Sequence, residues 1–404
     1  MKLSCLVFLI FPLCVSITGN GQTANEYCYG RGQAKYFKQD YAGAIVDYTK
    51  AIEINSQSTD AFFFRSLAKI QLKDYRGAIS DCSRAIKINP KFAEAYNNRG
   101  VAKRLLGDNT GAISDYSMAL IINAQYADSY YERGIARMHF KDYGGAISDF
   151  TKAIEINPQY ADFYYERGTA KISLEDYQGA IADYNITIEI NPKSADTYYD
   201  RGTAKMHIKD FRGAIADYNM VIEINPESAD AYYARGNLKM QFIDYAGSIS
   251  DYTKAIMINP KYDDAYYARG NAKNLLQDYK GAISDYTKAV EINPRYADSF
   301  FDRGTTKIHF DDYQGAVFDF TKAIEINPRS ADAYFARGIA KMHLEDYQGA
   351  IADYNRTIEI NPRSADAYYA RSVAKNIFGQ KESARQDYSK AGELGLANVY
   401  KEIE

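Results

Sequence analysis

Apolar, small and charged residues return along this chain in one repeating order. In YYERGIARMHFKDYGGAISDF, Tyr130 to Phe150, the residues Tyr130, Gly134 and Arg137 are spaced for one face of a helix. The pattern predicts a first helix over about 128–140 and a second over about 145–156, with Ala146, Phe150 and Ala153 on one stripe. Between them Asp142-Tyr143-Gly144-Gly145 breaks the periodicity, and Asp142 is placed to cap the second helix. Asn157-Pro158 closes that helix, because a proline ring cannot continue it.

The pair Arg-Gly recurs at 31, 99, 133, 167, 201, 235, 269, 303 and 337, and Arg65-Ser66 and Arg371-Ser372 fill the gaps in a constant step of 34 residues. Eleven units therefore start at 25, 59, 93, 127, 161, 195, 229, 263, 297, 331 and 365 and run to 398. Eight of the nine prolines occupy the place of Pro158. One helix pair cannot bury its apolar face alone, whereas stacked pairs make a continuous core. The expectation is an all-α array of stacked antiparallel helix pairs, ended by a short capping helix over 396–404.

A 34-residue unit carrying Tyr130, Gly134, Tyr143, Ala146, Phe150, Ala153 and Pro158 closely resembles the tetratricopeptide repeat. The match recurs in all eleven units and loosens at the ends, where Cys28 replaces the first aromatic and Ser56 and Ala124 replace the proline. The resemblance implies a right-handed α-solenoid superhelix whose first helices line a concave groove for peptides or partner helices. It further implies a non-catalytic protein–protein interaction scaffold. The alternative is a structural or assembly factor of the bacterial cell envelope that works through its edge or convex surface.

The copies also agree where the family is usually apolar or aromatic. The Arg133 place is Arg in all eleven units, the Arg137 place is always basic, and the Asp149 place is always Asp. Charges held partly out of water need partners. The helix-hairpin geometry predicts that Asp149 bridges Arg137 of its own unit and Arg167 of the next. In the same way Asp183 would join Lys171 to Arg201, and Asp217 would take Lys205. The result would be a structural ion ladder linking neighbouring units.

Binding residues are sought on the first helices. An acidic residue, Asp128 among them, opens every one. The next groove place is mostly aromatic: Tyr131, Tyr165, Tyr199, Tyr233, Tyr267, Phe301 and Phe335. An aromatic ridge with acidic flanks suits a segment carrying apolar and basic side chains. Packing of these rings between neighbouring helices is the competing reading. One varying place holds Glu132, Glu166 and Asp200, and another holds Ile135, Thr169, Thr203, Asn237, Asn271 and Thr305. All four histidines, His139, His207, His309 and His343, share a third. Equivalent places in adjacent units stand roughly 8–10 Å apart, too far for two histidines alone to hold one ion at about 2.0–2.1 Å. Groove lining or pH sensing is the expected role.

Composition narrows the classes. A net charge of −3 argues against a nucleic-acid partner. The 38 tyrosines, with no tryptophan, fall mostly at recurring places in the unit. Met1-Lys2, the apolar run LSCLVFLIFPLCVSI and the polar Thr18 to Gly21 have the layout of a secretory signal over 1–21. That run is shorter than the roughly 20 residues of a spanning helix, and no later run approaches that length. Phe11-Pro12-Leu13 ahead of Cys14 lacks the small residue of a lipid-attachment site, and Cys28 and Cys82 are expected on helices that do not touch. Export to the periplasm or envelope of a bacterium, or secretion, follows. No phosphate loop, nucleophile motif or paired metal motif stands apart from the repeat, so neither enzyme activity nor a cofactor is expected.

Overall fold

The computed structural model describes residues 22–395; the signal expected over 1–21 and the capping helix expected over 396–404 lie outside the described residues. Among the described residues there are 22 α-helices, from Gln22–Phe37 to Lys381–Glu393, and no strand. They form stacked antiparallel pairs. The chain divides into two compact bodies, Met1–Thr197 and Tyr198–Glu404. No described helix is long and apolar enough to cross a membrane.

One unit shows how the sequence makes the pair. Its helices are Ala127–His139 and Tyr143–Ile156. The Asp142 carboxylate accepts a 3.0 Å bond from the Gly145 amide, satisfying a donor that the first turn leaves free. The second helix thus begins at Tyr143, two residues before the periodicity suggests. The chain reverses through Lys141, held at φ 58°. At the far end the second helix of most units stops at an asparagine, as at Asn259, whose side chain accepts the Lys261 amide just past Pro260.

The core of each pair is small residues facing one ring. Phe150 is fully buried, and a Cβ on Gly134 would stand 2.5 Å from its edge, so this crossing requires glycine. Where Ser66 takes the glycine place, the facing ring becomes Cys82, whose thiol donates to the Ser66 hydroxyl at 3.1 Å. Burial pushes that thiol's pKa up to about 12. Tyr48, Tyr116, Tyr184, Tyr218, Tyr252, Tyr286 and Tyr354 occupy the Phe150 place, fully buried. Much of the tyrosine excess is core.

Each aspartate takes the base of its own unit at the Arg137 place, as expected, but its arginine partner is not the expected one. Asp149, 2% exposed, accepts from Arg133 Nε and Nη2 at 2.9 and 2.7 Å and from Arg137 Nη1 at 2.8 Å. Asp183 is held by Arg167 at 2.6 Å and Lys171 at 2.8 Å, and Asp217 by Arg201 at 2.6 Å and Lys205 at 2.9 Å. The expected bridge from Asp149 to Arg167 does not form. Arg133 and Arg137 lie one turn apart on one helix face, so both reach the aspartate opposite, and each triad closes within its unit. Units are joined by a weaker contact: Arg167 Nη1 donates to Thr151 Oγ1 at 3.1 Å. That hydroxyl gives its own proton to the Ile147 carbonyl at 2.7 Å and is left to accept. The same link joins Arg269 to Thr253, Arg303 to Thr287 and Arg337 to Thr321, each at 3.0 Å. The guanidinium also lies over the first aromatic of its unit, as Arg133 does over Tyr130 at 5.6 Å.

Candidate binding face

The last place of the first ten units comes in two kinds. Where it is serine, as at Ser58, Ser228, Ser330 and Ser364, the hydroxyl accepts the amide three residues on and caps the next first helix. Where it is aromatic, as at Phe92, Tyr126, Tyr160, Tyr262 and Tyr296, that helix has no side-chain cap. A cap is worth about 1 kcal/mol, so five units forgo it for a ring.

Those rings gather on the first-helix face. In the C-terminal body Tyr262 packs at 5.0 Å from Tyr233, and Tyr296 at 4.8 Å from Tyr267. The Tyr262 hydroxyl donates to Asp230 at 3.0 Å, that of Tyr296 to Asp264 at 2.9 Å, and that of Tyr267 to Asp302 at 2.7 Å. Burial, then the bonded carboxylates, raise the phenol pKa values of Tyr262 and Tyr296. Burial likewise raises the Asp302 carboxyl, against the Tyr267 bond that lowers it. Four π faces and three carboxylates are thus held side by side. In the N-terminal body Phe92 packs at 5.0 Å from Phe63, and Phe163 lies 5.3 Å from Tyr160 and 5.2 Å from Tyr131. Tyr262 and Tyr296 were not singled out by sequence reasoning. Their signal was the alternation of serine with a ring at one place.

The residues that were singled out divide into several roles. The ridge rings each have one face against the core ring: Tyr131 on Phe150, Tyr165 on Tyr184, Tyr199 on Tyr218, Phe301 on Phe320 and Phe335 on Tyr354, at 5.5–5.9 Å. They are half-buried, part core and part surface. The Ile135 place largely serves the core. Ile135 packs on Phe150, which has no hydroxyl, while Thr169, Thr203, Asn237 and Asn271 bond the hydroxyls of Tyr184, Tyr218, Tyr252 and Tyr286. Thr305 is exposed and bonds its own helix at Phe301. The histidines are exposed; His309 stacks on Tyr279 at 4.1 Å and His343 on Tyr313 at 4.3 Å.

Acid on this face is under electrostatic load in the N-terminal body as well. Glu132 and Arg104 pair at 2.8 Å with side chains only 17% and 21% exposed. Burial raises the Glu132 carboxyl, and Arg104 only partly offsets it. Asp128 is raised to about 6 by burial and then by the neighbouring Glu132 charge. Glu166 is half-buried on the same face of its own helix, and Asp200 holds the equivalent place in the C-terminal body, also half-buried.

Comparison with known proteins follows this geometry. Family models described as tetratricopeptide repeat or TPR repeat match residues 26–58, 65–129, 131–195, 209–241, 229–262, 263–296 and 331–364. Together they cover well over half of the chain. The C-terminal part of a TPR repeat-containing protein from Cytophaga hutchinsonii is 18% identical with a TM-score of 0.51, over 59% of this chain and 98% of that one. YrrB, described as a TPR protein with an unusual peptide-binding site, is 24% identical with a TM-score of 0.43, over 45% and 94%. Yeast Tom70 is 15% identical with a TM-score of 0.37, over 94% of both chains. No curated protein sequence matches the chain.

Proposed function

The chain belongs to the tetratricopeptide repeat family, and from that premise we propose that it is a non-catalytic scaffold whose first-helix face holds a segment of a partner protein. The segment carries basic and apolar side chains, and its strongest contacts fall on Tyr233, Tyr262, Tyr267 and Tyr296 with Asp230, Asp264 and Asp302. The observation that carries this reading is the exchange of helix caps for rings. It weakens the fold locally and builds a surface of π faces beside carboxylates. Lysine and arginine are drawn to such faces, and a cation from a ligand relieves carboxylates whose burial disfavours their charge. The leader-like start of the chain supports an exported protein meeting this partner in the envelope of a bacterium or outside the cell.

The second reading, assembly through the edge, has one observation in its favour. Leu106, Phe140 and Leu174 in one body, and Phe242, Leu276, Phe310 and Leu344 in the other, occupy a single place at the turn between helices and stay exposed. Selection of a random peptide library on the immobilised chain separates the two readings. The groove reading expects enriched peptides to combine Lys or Arg with aromatic or aliphatic residues, and their cross-links to map to Tyr262 and Tyr296. Enrichment of acidic peptides, or cross-links confined to the turns, would sink it.

A further inference from the structure

In six of the eleven units the second helix carries a cation and a glutamate three residues apart. Lys152 meets Glu155 at 2.6 Å, Lys288 meets Glu291 and Lys322 meets Glu325 at 2.7 Å, and Lys390 meets Glu393 at 2.8 Å; Arg356 and Glu359 pair likewise. The helix Tyr75–Ile88 departs from this: the same two places hold Arg84 and Lys87, both exposed. Like charges at this spacing oppose each other. A helix C-terminus favours one cation, yet eight of the other ten copies keep glutamate at the Lys87 place.

These two cations line a wide-open surface cavity of about 420 Å³ with Phe62, Arg65, Ser80 and Ser83. Asp81 belongs to its wall, but that carboxylate is buried and both its oxygens are engaged, by Arg65 at 2.7 Å and Lys69 at 2.7 Å. Arg65, Lys69, Arg84 and Lys87 against Asp81 give a formal charge of +3. The corresponding Arg133, Arg137 and Lys152 against Asp149 and Glu155 give +1. The hydroxyls differ too. Ser117 and Thr151 spend their protons on carbonyls four residues back. Ser83 accepts from Arg99 at 3.2 Å, and among the described residues no protein group takes its proton.

We propose that this cavity binds a phosphomonoester, its oxyanion held by Arg84, Lys87 and the Ser83 hydroxyl, with Arg65 supplying further positive field. A phosphate oxyanion offers the acceptor oxygens that two cations and a free hydroxyl can share. The site is built from the second helix Tyr75–Ile88 with Phe62 and Arg65 of the first helix Thr59–Gln71, and it shares no residue with the tyrosine and aspartate cluster of the C-terminal body.

The test follows the arginine Nε–Hε resonances of the full chain during titration with phenyl phosphate and, separately, inorganic phosphate at constant ionic strength. A saturable shift confined to Arg84 and Arg65 is expected, with phenyl phosphate binding at least as tightly as phosphate alone. Lys87→Glu installs the acid–base pair that six other copies carry, so the fold is retained while affinity drops by about ten-fold or more, the loss of one charge-assisted contact. Arg84→Gln should weaken binding similarly. Shifts reproduced by chloride, shifts spread over arginines of many units, or unchanged binding in Lys87→Glu would each overturn the proposal.

Discussion

A carboxylate held between two cations that other side chains keep from water is the most repeated object in this molecule. Its worth lies in completeness: an ion pair out of water gains little net stability, but a broken one is costly. Asp217→Asn leaves Arg201 and Lys205 without their counter-charge, and a loss of about 3 kcal/mol is expected by chemical denaturation. The loss should be centred on the helices Ala195–His207 and Phe211–Ile224 in hydrogen exchange. Asp128 makes a prediction of opposite sense. Its carboxyl is raised from an ordinary 3.8 to about 6, so in this window the folded chain holds a proton that the unfolded chain has released. Its contribution is therefore full below about 4 and lost as pH rises through about 6. Asp128→Asn should remove that fall, and thermal melts from pH 4 to 7 on the two proteins measure the difference.

At the scale of helices, local rules are obeyed with two exceptions that repeat. Among the described residues nine other than glycine, Lys141 and Ile243 among them, sit at positive φ between the helices of a pair, where Gly107 and Gly379 occupy the same place without strain. Ile243 is the most strained, being β-branched at φ 63°, and it is mostly exposed. Ile243→Gly should stabilise the C-terminal body by about 1 kcal/mol, read as a raised denaturation midpoint. The other exception is the missing cap before five of the first helices. The helices themselves were legible in the sequence to within about two residues, because the 34-residue step, Asp142 and Pro158 all act through neighbouring residues. The partner of Asp149 was not. Whether it meets Arg133 or Arg167 depends on how far two antiparallel helices overlap, and an error of one turn moves the contact to the next unit. The roles of Tyr262 and Tyr296 were hidden for a related reason: a ring at the end of one helix pair gains meaning only when it folds back on Tyr233 and Tyr267.

For the whole molecule, repetition separates scaffold from surface. The Asp149 and Arg133 places serve every copy alike, the Gly134 and Phe150 places serve all but the copies with Ser66, Cys82 and Ser372, and most of the Ile135 place matches the core ring opposite it. What differs is the end of each unit, the acid of the first helices and the Arg84–Lys87 exception. Recognition is accordingly assigned to the rings that replace caps. The most direct test of that assignment uses a substitution the chain already makes in its own other copies. Tyr262→Ser with Tyr296→Ser installs the capping serine found at Ser228 and Ser330, so stability should stay within about 1 kcal/mol of the parent. Binding of a library-selected basic–apolar peptide to parent and double variant is then compared by calorimetry. A fall in affinity of about ten-fold or more at unchanged stability is predicted, as two aromatic contacts are lost. Equal affinity for the two proteins would contradict the claim that this face binds the partner.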